Sequence, residues 1–312
     1  MSIFGQALRA ACATALLLST TAADAQDWKA RIPVIRIGIL GGENAADRLT
    51  NYACWKDKLE AHFNVPVELF PAADYAGVIQ GLLAGQLDIA NAFSPNSYAS
   101  IVSQDPDAVE AVATQRQTDG SLGYYSVIIA RKDSGLKTVA DLKGKTLAFA
   151  DPNSTSGYLY PSFELKAQGY DPATFFAKTG FAGGHEQGVV AVLNKQYDAA
   201  ATWSSAIGDE SKGYSSGNLA KMVQKGALNM KDIVILWKSS LIPNGPELVR
   251  KALPADFKAE YAKVLFDLPK SDKTCFDAIE GGDFADFAPI PAGFYDTVIR
   301  MRQEQDAGRR KS

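Results

Sequence analysis

The chain has 312 residues, of which 46% are hydrophobic and 21% charged, and its formal net charge is −3 at pH 7. This length is sufficient for two domains that each bury a core, and the composition is typical of a globular protein. The basic residues are scattered and form no stripe, which argues against nucleic-acid binding. Because the chain contains only 2 histidines and no C-x-x-C motif, we expect neither a metal site nor a cofactor.

The first 25 residues have the pattern of a secretory signal peptide. Arg9 supplies a positive charge, residues 10–18 form an apolar run, and Ala23-Asp24-Ala25 matches an A-x-A cleavage site. The apolar run is too short to cross a bilayer. We therefore predict a mature, periplasmic protein that starts at Gln26; the alternative is an unprocessed amphipathic first helix.

Strand and helix signals alternate along the first part of the mature chain. Apolar patterning predicts strands at residues 35–40, 65–70 and 87–90. The helix between the first two strands should bury a regular set of side chains, Tyr52, Trp55, Leu59 and Phe63. Asp74 can cap the next helix, and Ser94-Pro95-Asn96-Ser97 signals another helix start. This βαβα order predicts a mostly parallel sheet covered by helices.

The pattern restarts near residue 137 and indicates a second α/β lobe. Here a strand is predicted at residues 146–150, a helix at 188–193 and a short strand at 198–202. Two longer apolar runs, residues 125–130 and 233–237, are interpreted as strands that cross between the lobes. The predicted division is residues 26–127 and 236–312 for lobe 1 and 128–235 for lobe 2. Helices are predicted in the returning segment at residues 247–252, 255–266 and 290–303.

Three consecutive hydroxyl residues follow the strand predicted at residues 146–150. The segment reads Asp151-Pro152-Asn153-Ser154-Thr155-Ser156-Gly157-Tyr158, and a helix is predicted to begin near Gly157. A strand-to-helix turn points backbone N–H groups and the positive end of the helix dipole at one place. Hydroxyl groups add neutral donors, so the turn suits a small oxyanion. Helix capping is the alternative, because Ser, Thr and Asn are preferred N-caps.

Two cysteines, Cys54 and Cys275, remain after the predicted removal of Cys12 with the signal peptide. An even number of cysteines in an oxidising compartment is compatible with one disulfide bond. Two buried thiols are the alternative.

These segments together resemble the periplasmic phosphate/phosphite/phosphonate-binding proteins of ABC importers, the PhnD family. The similarity extends from about residue 35 to about residue 246. The matching segments are residues 73–81, 123–127, 143–145, 151–158, 184–186, 237–239 and 242–243. The resemblance implies a two-lobe, type II periplasmic-binding-protein fold with two crossing hinge strands. It also implies a monomer that captures a small phosphorus oxyanion, such as phosphite or methylphosphonate, and delivers it to an inner-membrane ABC permease.

The resemblance also implies which residues hold the ligand. By position they are Tyr75, Tyr124, Ser154, Thr155, Ser156 and His185. His185 follows two glycines and is predicted to lie on a loop. Tyr75 comes one residue after a helix cap, and Tyr124 begins a predicted crossing strand. For these residues the alternatives are core packing for the tyrosines and an exposed or capping role for the histidine.

One difference from the family concerns charge. Members that carry aminoalkyl phosphonates place carboxylates near the amine, whereas the aligning positions here are Ser205 and Gly245. Asp209 and Glu210 lie about one helical turn beyond the first of these positions. Because an unpaired ammonium is costly to bury, the sequence predicts a ligand without an amine.

An enzyme is the rival class of function. Ser154 and His185 could act as nucleophile and base, but no G-x-S-x-G elbow surrounds the serine, and H-E-x-x-H, P-loop and G-x-G-x-x-G motifs are lacking. We therefore expect a binding protein and not a phosphorus-ester hydrolase. A periplasmic sensor domain of the same fold stays open as a further alternative.

Overall fold

The structure is a computed structural model that describes residues 28–42 and 44–309. The predicted signal peptide, residues 1–25, lies outside the described residues. None of the helices in the described ranges combines the length and apolar character needed to cross a membrane.

The described part of the chain forms twelve β-strands and eleven α-helices. The strands are β1 (Ile35–Ile39), β2 (Val67–Pro71), β3 (Ile89–Ala90), β4 (Val109–Gln117), β5 (Gly123–Arg131), β6 (Thr146–Phe149), β7 (Lys178–Phe181), β8 (Ala199–Ser204), β9 (Ile233–Lys238), β10 (Ile242–Pro243), β11 (Pro246–Arg250) and β12 (Phe284–Ala288). The helices are α1 (Trp28–Arg31), α2 (Ala45–Phe63), α3 (Tyr75–Leu83), α4 (Pro95–Gln104), α5 (Tyr160–Ala167), α6 (Pro172–Phe175), α7 (His185–Leu193), α8 (Asn218–Gln224), α9 (Ala255–Ser271), α10 (Lys273–Glu280) and α11 (Asp296–Arg309).

These elements build the predicted two-lobe α/β fold around two six-stranded sheets. The sheet of lobe 1 has the order β12-β4-β11-β3-β1-β2, and that of lobe 2 has the order β10-β5-β8-β6-β7 with β9 also beside β5. The sheets are mixed and not mostly parallel as predicted. Parallel pairing is confined to β1 with β2 and β3, and to β6 with β7 and β8. The other described strand pairs are antiparallel, and each of them involves β4, β5 or β11.

The crossings themselves lie elsewhere than the sequence suggested. The runs at residues 125–130 and 233–237 belong to β5 and β9, which pair with each other inside the sheet of lobe 2. The chain instead passes between the sheets at residues 118–122 and 244–245. The predicted boundaries at residues 127/128 and 235/236 therefore fall within strands of lobe 2. Both runs are apolar because they supply side chains to the core of lobe 2, with Ile128 opposite Trp237.

The core of lobe 1 is where the returning segment packs against the first helix. The predicted face of α2, with Trp55, Leu59 and Phe63, is buried against Phe257 and Tyr261 of α9. Beside this core, a disulfide joins Cys54 of α2 to Cys275 of α10, with Cα atoms 5.8 Å apart across 221 residues of sequence. Early and late parts of the chain are thus covalently linked within one lobe.

The prediction of a helix at residues 247–252 is wrong, because most of this segment belongs to β11, an interior strand of the lobe 1 sheet. It lies between β3 and β4, where a helix would leave the facing edges of both strands without backbone hydrogen-bond partners. The helix predicted at residues 290–303 begins later, as α11, and packs on α4 and on the turn that follows Ser154. The C-terminal helix thus contacts both lobes next to the cleft.

Candidate functional site

A cavity of about 140 Å³ lies between the two lobes. All six residues predicted to hold the ligand line it: Tyr75, Tyr124, Ser154, Thr155, Ser156 and His185. Each of these side chains is buried. The structure therefore brings together residues that are up to 110 positions apart in the sequence, with Tyr75 on lobe 1 and the other five on lobe 2.

The hydroxyl turn connects β6 to a π-helical turn, Thr155–Leu159, which continues into α5. Ser154 is the N-cap, and its Oγ accepts a hydrogen bond from the N–H of Gly157 at 2.9 Å. A side chain at Gly157 would place its Cβ 2.4 Å from the Cβ of Ala150 and 2.8 Å from Ser154 Oγ. Glycine is therefore required for the tight turn that holds the three hydroxyl groups against the cavity.

His185 is the first residue of α7 and does not lie on a loop as predicted. The two preceding glycines permit the entry into the helix, because Gly183 has φ +90° and a Cβ on Gly184 would meet the backbone of Gly42 on lobe 1 at 2.3 Å. Nε2 of His185 lies 3.0 Å from Ser154 Oγ. The helix start thus delivers the imidazole to the hydroxyl turn.

Thr155 connects the two lobes directly. Its Oγ1 accepts a hydrogen bond from the backbone N–H of Asn96 at 2.8 Å and lies 2.9 Å from Oγ of Ser94, both at the N-terminus of α4 in lobe 1. Ser94 Oγ also donates to the carbonyl of Asn153 at 3.1 Å. The start of α4, which the sequence identified only as a helix signal, is therefore part of the cavity wall and is bonded to the hydroxyl turn.

The two tyrosines approach the turn from different elements. Tyr124 is the second residue of β5, and its ring packs edge-on against Trp203 with centroids 5.4 Å apart. Burial raises the pKa of Tyr124 to about 12, although hydrogen bonds with Ser156 and Thr155 act in the opposite direction. Its hydroxyl is therefore protonated at neutral pH and can donate. Tyr75 begins α3 directly after the N-cap Asp74, as predicted.

Asp151 lies behind Tyr75 and fixes its position. One carboxylate oxygen accepts from the N–H of Tyr75 at 3.4 Å, and the other accepts from the N–H of Asn153 at 2.7 Å. Burial raises the pKa of Asp151, and the nearby negative charge of Asp74 adds to this effect. The Asp-Pro-Asn segment before the hydroxyls is thus a support that joins lobe 2 to the helix carrying Tyr75.

A buried carboxylate on the cavity wall was missed by sequence reasoning. Glu280, the last residue of α10, lines the cavity together with Gln115 and Asn91. Gln115 Nε2 donates to Glu280 and, at 2.8 Å, to Glu247 on β11. Asn91 Nδ2 donates to the other oxygen of Glu247 at 2.6 Å. This polar network connects β4, β11, the residue that follows β3 and the end of α10.

The two carboxyl groups of this network are strongly perturbed. Burial raises the pKa of Glu247 to about 7, although its hydrogen bonds oppose the shift. Burial also raises the pKa of Glu280 well above its usual range, and the negative charge of Glu247 raises it further. The Lys221 ammonium, which also lines the cavity, acts in the opposite direction on Glu280.

Ser205 and Gly245, the positions that align with the carboxylates placed near a ligand amine, contribute no charge to the cavity. Gly245 lines the cavity, whereas Ser205 is buried outside it with its hydroxyl 2.9 Å from that of Ser215. Asp209 caps a short helix at an exposed position, and Glu210 lies in that same helix. The carboxylate on the cavity wall comes instead from the C-terminal segment.

No group of three or more His, Cys, Asp or Glu side chains in residues 28–42 and 44–309 is arranged to hold a metal ion. The lobes are further joined by Lys225, whose Nζ lies 2.8 Å from a carboxylate oxygen of Asp47 in lobe 1 and 3.1 Å from one of Glu186 in lobe 2.

The sequence matches the model of a known protein family. The sequence model described as "ABC transporter, phosphonate, periplasmic substrate-binding protein" matches residues 37–295. The chain belongs to this family. Its members are substrate-binding transporter components and not enzymes, and the two-lobe fold agrees with that assignment.

Individual relatives agree with the family assignment. The chain is 33% identical to the phosphonates-binding periplasmic protein of Escherichia coli over 241 residues, which are 76% of this chain and 65% of that protein. It is 30% identical to the phosphate-import protein PhnD of Mycolicibacterium smegmatis over 233 residues, 70% of this chain and 69% of that one. The chain therefore spans slightly less than two thirds of the E. coli protein.

Solved structures show the same fold. PhnD1 of Prochlorococcus marinus, in complex with methylphosphonate, superposes with a TM-score of 0.72 at 19% identity, covering 88% of this chain and 98% of that chain. The binding component of a phosphonate transporter from Pseudomonas aeruginosa gives a TM-score of 0.68 at 24% identity, covering 89% and 97%.

Proposed function

We propose that this protein captures a small phosphorus oxyanion between its lobes and delivers it to an inner-membrane ABC permease. The observation that carries the proposal is the convergence of Ser154, Thr155, Ser156, His185, Tyr124 and Tyr75 on one cavity. Phosphonates, phosphite and methylphosphonate are the ligand class that we propose. The E. coli relative is named for binding phosphonates, and the M. smegmatis relative is named for importing phosphate, which is also a phosphorus oxyanion.

The donor set suits a tetrahedral anion. Hydroxyl groups, the Tyr124 phenol and the imidazole of His185 can each direct a proton toward a phosphonate oxygen, and hydrogen bonds to a charged partner are worth about 1.5–3 kcal/mol each. Neutral donors bind such an anion without a fixed opposite charge in direct contact. This property favours release once the lobes separate at the permease.

Binding should draw the two lobes together. Thr155 reaches Ser94 and Asn96 across the cleft, and Gly184 touches Gly42 at its edge. A ligand that bridges the hydroxyl turn and Tyr75 adds bonds to both lobes at once. We further propose that the mature chain begins at Gln26 after export to the periplasm and acts as a monomer.

Isothermal titration calorimetry on the chain from residue 26 to residue 312 tests this function. The ligands are phosphite, methylphosphonate, n-propylphosphonate, 2-aminoethylphosphonate and phosphate, with sulfate as the non-phosphorus anion. We expect one site per chain for at least one phosphorus oxyanion, and weakening of about tenfold or more in Ser154→Ala. The matched control is Ser211→Ala, which removes an exposed hydroxyl of lobe 2. Absence of binding by every phosphorus oxyanion, or release of phosphate from a phosphonate, would overturn the proposal.

A further inference from the structure

The carboxyl group of Glu280 on the cavity wall has one oxygen in use and one open. The residue is 3% exposed, and its Oε1 has no hydrogen-bond partner among the described residues. Its Oε2 accepts a hydrogen bond from Nε2 of Gln115. Because Oε2 is an acceptor, the proton of a neutral Glu280 belongs on Oε1, which then becomes a donor in need of an acceptor.

The surroundings of Glu280 favour this neutral form. Nε2 of Gln115 also donates to Glu247 at 2.8 Å, so two neighbouring carboxyl groups share one neutral donor. Two ionised carboxylates in such an arrangement repel each other. Burial and the charge of Glu247 raise the pKa of Glu280 well above its usual range, and the ammonium of Lys221 opposes this shift without outweighing it. Glu280 therefore offers a ligand an O–H group.

The ammonium of Lys221 lies beside Glu280, although the two residues belong to different lobes. Lys221 is on α8, and a Cβ on Gly281 would collide with its Cε and Nζ, so the lysine chain runs directly over the residue that follows Glu280. Its Nζ is 5.9 Å from the centroid of the Trp203 ring, and that ring packs on Tyr124. The cavity wall thus continues from the hydroxyl turn past two aromatic rings to a lysine and a carboxyl group.

The charge of the wall favours an anionic group at this second end. Among the described residues that line the cavity there are one arginine, Arg48, and one lysine, Lys221, and Glu280 is the single carboxyl group. With Glu280 neutral, these residues contribute positive charge and no negative charge. The phosphonate group at the hydroxyl turn meets neutral donors, so a second anion beside Lys221 would be attracted and not repelled.

We propose that the cavity selects phosphonates whose second end is a carboxylate, such as phosphonoacetate, and that Lys221 and Glu280 hold this carboxylate. Lys221 supplies the positive charge, and Oε1 of Glu280 donates a hydrogen bond to one carboxylate oxygen, a charge-assisted and therefore strong bond. This inference rests on the proposed function and assigns the ligand's second end. It agrees with the expectation of a ligand without an amine, because an ammonium group would meet a lysine and a neutral acid.

The first test compares three ligands on the unaltered protein by calorimetry. Phosphonoacetate and carbamoylmethylphosphonate have the same number of heavy atoms and differ in a carboxylate in place of a neutral amide, and 2-aminoethylphosphonate carries a cation instead. We expect phosphonoacetate to bind at least ~10-fold more tightly than either of the others, a difference of about 1.4 kcal/mol. Equal or tighter binding of the amide or the amine, or failure of all three while methylphosphonate binds, would overturn the inference and leave the proposed function intact. Failure of every phosphorus oxyanion would instead overturn the proposed function.

The second test uses Lys221→Met, which keeps an unbranched side chain and removes its charge. We expect binding of phosphonoacetate to weaken by ~10-fold or more, and binding of methylphosphonate to change by less than about threefold. The matched control is Lys178→Met, the same change at an exposed position of β7 in the same lobe. Equal weakening of both ligands, or of neither, would reject Lys221 as the partner of a second anionic group.

The third test uses Glu280→Gln, which is neutral and can still donate from an N–H group. Phosphonoacetate should bind this variant within about threefold of the original protein, because a neutral donor replaces a neutral donor. A change of ~10-fold or more in either direction would reject the donor role of Glu280; a gain of that size would show that the ionised group repels the ligand. If either variant does not fold, the ligand comparison on the unaltered protein still decides.

Discussion

Replacing Thr155 by valine should weaken ligand binding by separating the lobes. The hydroxyl of Thr155 is the acceptor for the N–H of Asn96 at 2.8 Å, and it lies 2.9 Å from Ser94 Oγ. Valine has nearly the same shape but can form neither bond. When the lobes meet, the Asn96 N–H would be buried without a partner, whereas water can bond to it when the lobes are apart.

The size of this effect follows from one lost buried hydrogen bond. Leaving a buried backbone donor unsatisfied costs about 1–3 kcal/mol, which corresponds to a ~5- to 150-fold loss of apparent affinity if only the closed form binds. A hydrogen bond from the Thr155 hydroxyl to the ligand would add to this loss. The unfolding midpoint of the unliganded protein should change little, because the open form leaves this N–H in water.

Calorimetry with the tightest phosphonate measures the affinity, and small-angle scattering with and without ligand measures closure. Thr155→Ser is the control, since it keeps the hydroxyl and should bind within about threefold of the original protein. If Thr155→Val retains full affinity and the same compaction, the hydroxyl has no role in closure. A loss of unliganded stability with unchanged affinity would indicate a capping role alone.

Three further predictions concern stability and the tyrosine at the cleft. Reducing the bond between Cys54 and Cys275, or replacing both by serine, should lower the free energy of unfolding by about 2–5 kcal/mol in urea titrations, because a long loop is no longer closed in the unfolded chain; an unchanged midpoint would contradict this. The raised pKa of Glu247, about 7, means that the folded protein retains a proton that the unfolded chain loses from about pH 4.5 upward. Stability should therefore fall by at most about 3 kcal/mol between pH 5 and 8, and Glu247→Gln should reduce this slope; equal slopes would refute the cause. Tyr124→Phe should weaken phosphonate binding ~10-fold or more in calorimetry through loss of the protonated phenol, and unaltered affinity would show that its hydroxyl does not reach the ligand.

The sequence predicted those elements whose signals are local. The helix α2 was recognised from the spacing of its buried face, and α3 from the cap at Asp74, whose side chain accepts from the N–H of Gly77 at 2.9 Å. The strand β6 is a short apolar run that ends at the hydroxyl turn. In each case the residues that determine the structure lie within a few positions of one another.

The strands that were missed bury polar side chains. In β4, Gln115 and Gln117 are buried because they bond to Glu247 and Asn244, more than 120 positions away in the chain. Residues 247–252 were predicted to be helical, whereas the strand β11 buries the Glu247 side chain completely. Such strands have no hydrophobic period, because their partners are distant polar groups that only the fold brings close.

The same reason explains what was missed in the cavity. The hydroxyl turn is contiguous and could be found by reading along the chain. Glu280, by contrast, is the last residue of α10, and only the packing of α10 against the rest of lobe 1 brings it to the cavity wall beside Gln115. Its position became apparent only from the three-dimensional structure.

A crystal structure of the protein with the phosphorus oxyanion that binds most tightly would test the central claim most directly. We predict that the phosphorus-bound oxygens lie within hydrogen-bonding distance, about 2.5–3.2 Å, of the hydroxyl groups of the Ser154–Ser156 turn and of the imidazole of His185. A ligand bound outside the cavity between the lobes, or with its phosphonate away from the hydroxyl turn, would contradict the account.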